Sequence, residues 1–299
     1  MLPLHSAQED LTTMPSIWDM WWPLELLPLG AILVVSIMYL LGVRKLRSEK
    51  IEWPAGRTIS FVMLGNGTLF LATQGPLAYL DTTLLSTHMV QHMLLSMIAP
   101  IFLALGAPVT LLLRVTKGKT RKFFARLLHL RIVTVVSFPL VAGFIYILNP
   151  WLLYFTSYYE ATLTNSFLHN FNHLHFIVVG SLWTWSLIGI DPMPRMGFGL
   201  RLFSVFVTLP FHAFLGLTIM NQSDGIARDY YESLNRQWGP TVLEDQQIAG
   251  GLLWAAGDII GLLLFLALAI QWARASEREA RRIDRDLDRQ ERNSLISGE

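Results

Sequence analysis

The sequence predicts an all-α, polytopic integral membrane bundle of about seven transmembrane helices, N-terminus outside and C-terminus cytoplasmic. Three observations predict it. Of 299 residues, 53% are hydrophobic and 15% charged, and mean hydropathy is +0.43; a soluble domain usually carries about a quarter charged residues. The charges also avoid the long apolar runs, and a charge-poor run of roughly 20 residues crosses the hydrocarbon as a helix. Finally, Lys and Arg divide 21 to 2 between the two sets of loops, and the basic side is the cytoplasmic one.

The spans fall at about 24–43, 58–80, 83–105, 132–149, 163–189, 202–221 and 248–271. The second is interrupted by Gly65, Asn66, Gly67 and Gln74, small and polar residues that suit a helix contact better than a lipid face. Arg44, Lys45, Arg47, Lys50 and Arg57 follow the first span. Seven cations from Arg114 to Arg131, then Arg195 and Arg201, fill the next two loops on that side. Seven arginines from Arg274 to Arg292 complete it, against Arg228 and Arg236 opposite. Trp18, Trp21, Trp22, Tyr79, Trp151, Tyr154, Tyr158, Tyr159 and Trp238 fall near the outer boundary, where amphipathic rings are favoured. Trp183 and Trp185 fall near the inner one.

Three regions follow: an outer segment 1–23, the helical domain 24–271 and a charged cytoplasmic tail 272–299. The start has no basic n-region, its first basic residue being Arg44, so the amino end is expected to be translocated without cleavage. The tail alternates Arg with Asp and Glu and reads as a solvated helix or a partly disordered end. The loop 222–247, with Asp224, Asp229, Glu232, Glu244 and Asp245, is acidic and long, a solvated connection or a partner contact.

A net charge of +1 gives no basic field for nucleic acid. Absence of cysteine excludes disulfides, thiolate metal sites and cysteine nucleophiles. No phosphate-cradling glycine loop and no nucleophile elbow is present. What remains is histidine. His88 and His92 lie at i,i+4 in the third span, as do His169 and His173 in the fifth, so each pair shares a helix face. His175 points about 160° away from His173, at 100° per residue. With a rise of about 1.5 Å per residue, His88 and His169 lie roughly 8 Å from the outer end and His92, His173 and His212 roughly 15 Å. Asp258 lies roughly 16 Å from it by the same arithmetic.

Ionisable groups inside membrane helices are costly and mark functional sites. Two matched pairs supply four imidazoles, a number suited to a first-row transition metal; hydrogen bonding between helices is the alternative use of the same residues. Imidazole suits zinc, copper, iron and nickel, and thioether adds a preference for Cu(I). Met89, Met93, Met97 and Met220 stand nearby, although methionine on an apolar helix is more often packing. The candidate metal residues are therefore His88, His92, His169, His173, His212 and Asp258, the last as an orienting carboxylate, a partner of His212 or part of a proton path. His175 and the terminal His5 are weaker candidates.

Residues 88–114 resemble the multi-span CtaG family, assembly factors for the caa-type heme–copper cytochrome c oxidase. The carriers are His88, His92, Pro100 and the turn Leu105-Gly106-Ala107-Pro108. A second, looser motif is His169, His173, Gly180 and Trp183; a third is Asp245, Gln246, Gln247, Gly250 and Trp254. The resemblance runs from about residue 58 to 271. It implies a non-catalytic metallochaperone of the bacterial plasma membrane that helps copper reach the oxidase, with an oxidase subunit or its copper centre as partner. Distant likeness to copper-resistance transport proteins keeps copper import as a neighbouring reading. The same residues leave two other classes open, a membrane-embedded zinc-dependent hydrolase using Asp258 and a haem or quinone redox protein.

Overall fold

The computed structural model describes residues 11–21, 24–192 and 197–297; His5, Trp22 and Arg195 lie outside them. All regular structure among the described residues is helical. We label α1 Leu26–Ser48, α2 residues 55–73, α3 Leu85–Leu105, α4 Pro108–Val115, α5 Gly118–Leu128, α6 Pro139–Tyr154, α7 Ser166–Ile188, α8 Phe198–Asn221 and α9 Val242–Ser297. Shorter helices, Gly75–Leu80, Arg131–Val136, Tyr158–Thr164 and Arg228–Ser233, join them.

Each expected span is mostly helical, but not every one is long and apolar enough to cross a membrane alone. Four described helices meet that standard: α1, α3, α8 and Val242–Gln290 of α9. A fifth does if α6 and Tyr158–Thr164, bent by 68°, count as one span. The other two windows are interrupted by the polar residues that make them interesting. α7 carries His169, Asn170, Asn172, His173 and His175 in its first half. The second window breaks after α2, where Gln74 is extended and Gly75 has φ +66°. The side-chain amide of Gln74 exchanges hydrogen bonds with the backbone of Glu25 (3.1 Å each way), a pairing that satisfies the polar break locally. α9 runs unbroken from Val242 to Ser297, about 84 Å at 1.5 Å per residue, so the boundary at 271 falls inside one helix.

Proline and glycine set how closely the helices approach. Pro100 has no N–H for the Ser96 carbonyl one turn back, and α3 opens there into a π-helical turn, Leu94–Ile98. The Ser96 carbonyl faces Gly180 of α7, and a Cβ on Gly180 would collide with that oxygen. The glycine is therefore what lets α7 cross α3 beside the histidines. α8 and α9 meet in the same way. A Cβ on either Gly216 or Gly250 would stand 2.6 Å from the other's carbonyl oxygen, as small residues allow at membrane-helix crossings. At the other end of α3, Ala107 is left-handed (φ 51°, ψ 52°), and Gly106 lies against Phe61. Tyr39 Oη donates to the Gly106 carbonyl at 2.7 Å. This pins the turn into α4 to α1.

Asp191 fixes the start of α4. It accepts from the backbone N–H groups of Val109 (3.3 Å) and Thr110 (2.7 Å), the Thr110 hydroxyl (2.6 Å) and Trp185 Nε1 (2.9 Å). The outer faces of α1, α7, α8 and α9 present apolar side chains: Met38 is 65% exposed, Phe206 62% and Leu263 62%. That is the surface expected against lipid tails rather than water.

Gly180→Ala is expected to lower thermal stability by about 1–3 kcal/mol, the cost of overpacking a tight contact. Gly67→Ala, which meets open space, is expected to be neutral or slightly stabilising, since alanine is favoured over helical glycine by about 1 kcal/mol. Thermal unfolding of the two detergent-solubilised variants separates the effects.

Candidate functional site

Three groups converge where the break after α2 folds the chain back against α3 and α7. Asp81 is 1% exposed. Its Oδ2 lies 3.0 Å from His169 Nε2 and 3.6 Å from His173 Nε2. Gln91 of α3 completes the group: its amide donates to Asp81 Oδ2 (2.8 Å) and to the Ala72 carbonyl (2.9 Å). Its Oε1 stands 2.9 Å from His173 Nε2. The i,i+4 step of α7 sets the two imidazoles edge to face with centroids 4.4 Å apart. Among the described residues, Asp81, His169 and His173 are the one set of three His, Asp or Glu side chains whose potential ligand atoms all lie within 4.8 Å of one another.

His88 and His92 do not join that set. They sit on the adjoining face of α3, inside an aromatic enclosure. The His88 ring lies 5.0 Å from that of Tyr159 and 6.0 Å from Tyr154, and the His92 ring 4.2 Å from Phe176. Tyr154 Oη approaches both His92 Nδ1 (3.5 Å) and the Met89 sulfur (3.7 Å). Neither ring nitrogen of His88 has a hydrogen-bond partner, although the residue is 1% exposed. A buried polar group without a partner costs free energy, so His88 is held there by its surroundings.

His212 is likewise buried with both nitrogens unpartnered, stacked at 5.8 Å on Tyr146, whose own hydroxyl has no partner. From α9 it is Gly257 that faces His212, since a Cβ there would lie 2.8 Å from His212 Nδ1. Asp258 makes no bond to that imidazole, and its Oδ1 is buried without a partner. His175 points to another face, where Nε2 meets Asn149 Oδ1 at 2.6 Å. Met89, Met93 and Met97 are all core residues, and Met220 packs on Gly250.

The third sequence motif closes the site from the far end of the chain. Asp245 Oδ2 accepts from the backbone N–H groups of Leu85 (2.6 Å) and Ser86 (3.4 Å), and its Oδ1 from the Ser86 hydroxyl. The first turn of α3 has no cap of its own; one from α9 satisfies it. Gln246 does the same for the end of α8, donating to the carbonyls of Ile219 (2.9 Å) and Gln222 (2.8 Å) and accepting from Ile226 N–H (2.7 Å). The loop 222–247 reaches the aromatic enclosure of His88, where Tyr231 Oη lies 2.7 Å from Tyr159 Oη.

Asp81 and Gln91 were not among the residues the sequence singled out. Asp81 stands at a span boundary, where an acid looks like ordinary loop. Gln91 stands inside the motif beside His92, and only the fold shows that it faces Asp81. A lone acid next to two histidine-bearing spans, with a glutamine inside one of them, is the signal that was there to read.

Several apolar helices enclosing a buried group of imidazoles and one carboxylate define a membrane protein with ionisable chemistry in its core. The chain belongs to the family described as cytochrome c oxidase caa3 assembly factor, whose model matches residues 37–275. It is similar to uncharacterised proteins of Mycobacterium bovis and Mycobacterium tuberculosis, each 35% identical over 275 residues. A third, from Mycobacterium leprae, is 31% identical over the same length. The matches cover 89% of this chain and 42% of each relative, so the chain spans about two-fifths of the curated relatives it matches. No solved structure matches it.

Asp245→Ala is expected to expose the first turn of α3, costing about 0.5–2 kcal/mol as for a lost helix cap. Amide hydrogen exchange should accelerate at Leu85 and Ser86, while Gln247→Ala, an exposed neighbour, leaves both unchanged.

Proposed function

We propose that this chain is a non-catalytic factor of caa3 oxidase assembly that holds copper as cargo and passes it to the oxidase. The observation that carries the reading is the convergence of Asp81, His169 and His173. Ligands about 2.0–2.1 Å from a shared tetrahedral ion lie roughly 3.3 Å apart, and the carboxylate here stands 3.0 and 3.6 Å from the two imidazoles. Two nitrogens and one oxygen suit Cu(II) or Zn(II) better than Cu(I). His88 and His92, one helix face away, offer further imidazole nitrogens, those of His88 free of any other bond. His212 stands deeper as a further donor, and Asp258 belongs to this reading only as a nearby carboxylate.

Seven spans with the N-terminus outside and the tail in the cytoplasm fit the 21-to-2 division of cations. In that orientation the Asp81 group lies in the outer half of a bacterial plasma membrane, the side from which copper would be handled. Gln91 holds Asp81 and His173 in register, so the group is ordered before any ion arrives, which lowers the reorganisation needed to bind one.

Full-length protein purified in detergent and loaded with copper is expected to retain about one ion per chain. His173→Ala and Asp81→Asn should each weaken retention by roughly 10–100-fold, the range seen when a metal site loses a supporting group. Wild-type protein that retains no copper would overturn the cargo reading, and a Soret absorption band in it would favour a haem protein instead.

A further inference from the structure

A long apolar groove runs down the outside of the bundle between α1 and α7, floored by α2 and α3. It has a volume of about 810 Å³ and is lined by Ile32, Phe61, Leu103, Leu174 and Trp185 among others. It reaches from Phe167, near the start of α7, to Trp185 near its end, a rise of about 27 Å at 1.5 Å per residue. That is nearly the thickness of a bilayer's hydrocarbon. Leu128, the last residue of α5, is also among the lining residues.

α5 is amphipathic. At 100° per residue, Phe123, Phe124, Leu127 and Leu128 share one side, and Lys119, Lys122 and Arg126 share the other. Phe123 is 62% exposed and Leu127 45%, so the bundle leaves the apolar side largely uncovered. Between Arg114 and Arg131 the chain has seven cations and no acid. Among the described residues none of Lys119, Lys122 and Arg126 forms an ion pair. Basic helices of this kind lie in the interfacial plane and attract anionic headgroups.

We propose that the groove and α5 together form a binding site for one anionic phospholipid. An acyl chain lies in the groove, and the phosphate rests on Lys119, Lys122 and Arg126 at its end. The two halves meet at Leu128, which ends α5 and lines the groove. An apolar slot alone would accept any lipid chain, and a basic helix alone would hold any anion; side by side they select a molecule that is both. The site lies outside the Asp81 group, and its test does not depend on copper.

The experiment is native mass spectrometry of the detergent-purified full chain, equilibrated with phosphatidylglycerol or with phosphatidylcholine of the same acyl chains. Wild-type protein is expected to retain phosphatidylglycerol selectively, and added salt should erode the preference. The triple variant Lys119→Gln, Lys122→Gln, Arg126→Gln should lose it by roughly 100-fold, about fivefold per charge removed. These side chains are exposed, so the variant tests binding rather than folding. Ala31→Phe, which fills the groove from α1, should reduce retention of both lipids. Equal retention of the two lipids by wild type overturns the proposal, as does inorganic phosphate displacing phosphatidylglycerol at equal concentration. Undiminished binding in the triple variant or in Ala31→Phe overturns it equally.

Discussion

The first turn of α3 depends on a carboxylate that arrives 160 residues later. A helix that starts in an apolar bundle has backbone N–H groups with no water to satisfy them, and leaving them bare costs free energy. Asp245 accepts from two of them, and Gln246 beside it meets the orphan carbonyls that end α8. One short stretch of α9 thus closes an amino end and a carboxyl end at once. The register of α3 against α9 is set by this contact, and with it the height at which His88 and His92 stand.

Three buried aspartates, Asp81, Asp191 and Asp245, are 1%, 1% and 3% exposed, and among the described residues none of them forms an ion pair with a lysine or arginine. Asp191 and Asp245 are satisfied by backbone and side-chain donors at helix starts, where the dipole also favours negative charge. Asp81 differs. Its hydrogen-bond partners are Gln91 and the His169 imidazole, with the His173 imidazole 3.6 Å away, and imidazoles can exchange a proton or a metal ion where a backbone N–H cannot. By partner chemistry alone, Asp81 is the buried carboxylate equipped for function, and the other two are structural.

The sequence made the helices legible because apolar runs and loop charge are local. The four helices long and apolar enough to cross a membrane, and the bent pair that could make a fifth, all fall in windows read from them. What composition could not supply was which polar residues meet. The histidine pairs share faces as i,i+4 spacing requires, yet the two faces do not converge on one point. Phe176 of α7 stands against His92 at 4.2 Å, and the aromatic enclosure fills the space where a fourfold imidazole site would be. Asp81 enters instead because Gln74 and Gly75 break the second window. That break is visible in the sequence as a weak span; its consequence, a carboxylate turned into the bundle, is tertiary.

Pro100 and Gly180 show how two motifs that look independent are one device. The proline strips the Ser96 carbonyl of its donor and opens a π-helical turn directly after His92. Such turns cost helix regularity and recur at functional sites. The freed carbonyl is then covered by a residue without a side chain, so α7 comes in against α3 at that level and no other. Two turns back along α7 from Gly180 is His173, and one turn back along α3 from Ser96 is His92. The same contact fixes the approach of α7 to the helix bearing Gln91, whose carboxamide oxygen meets His173 at 2.9 Å.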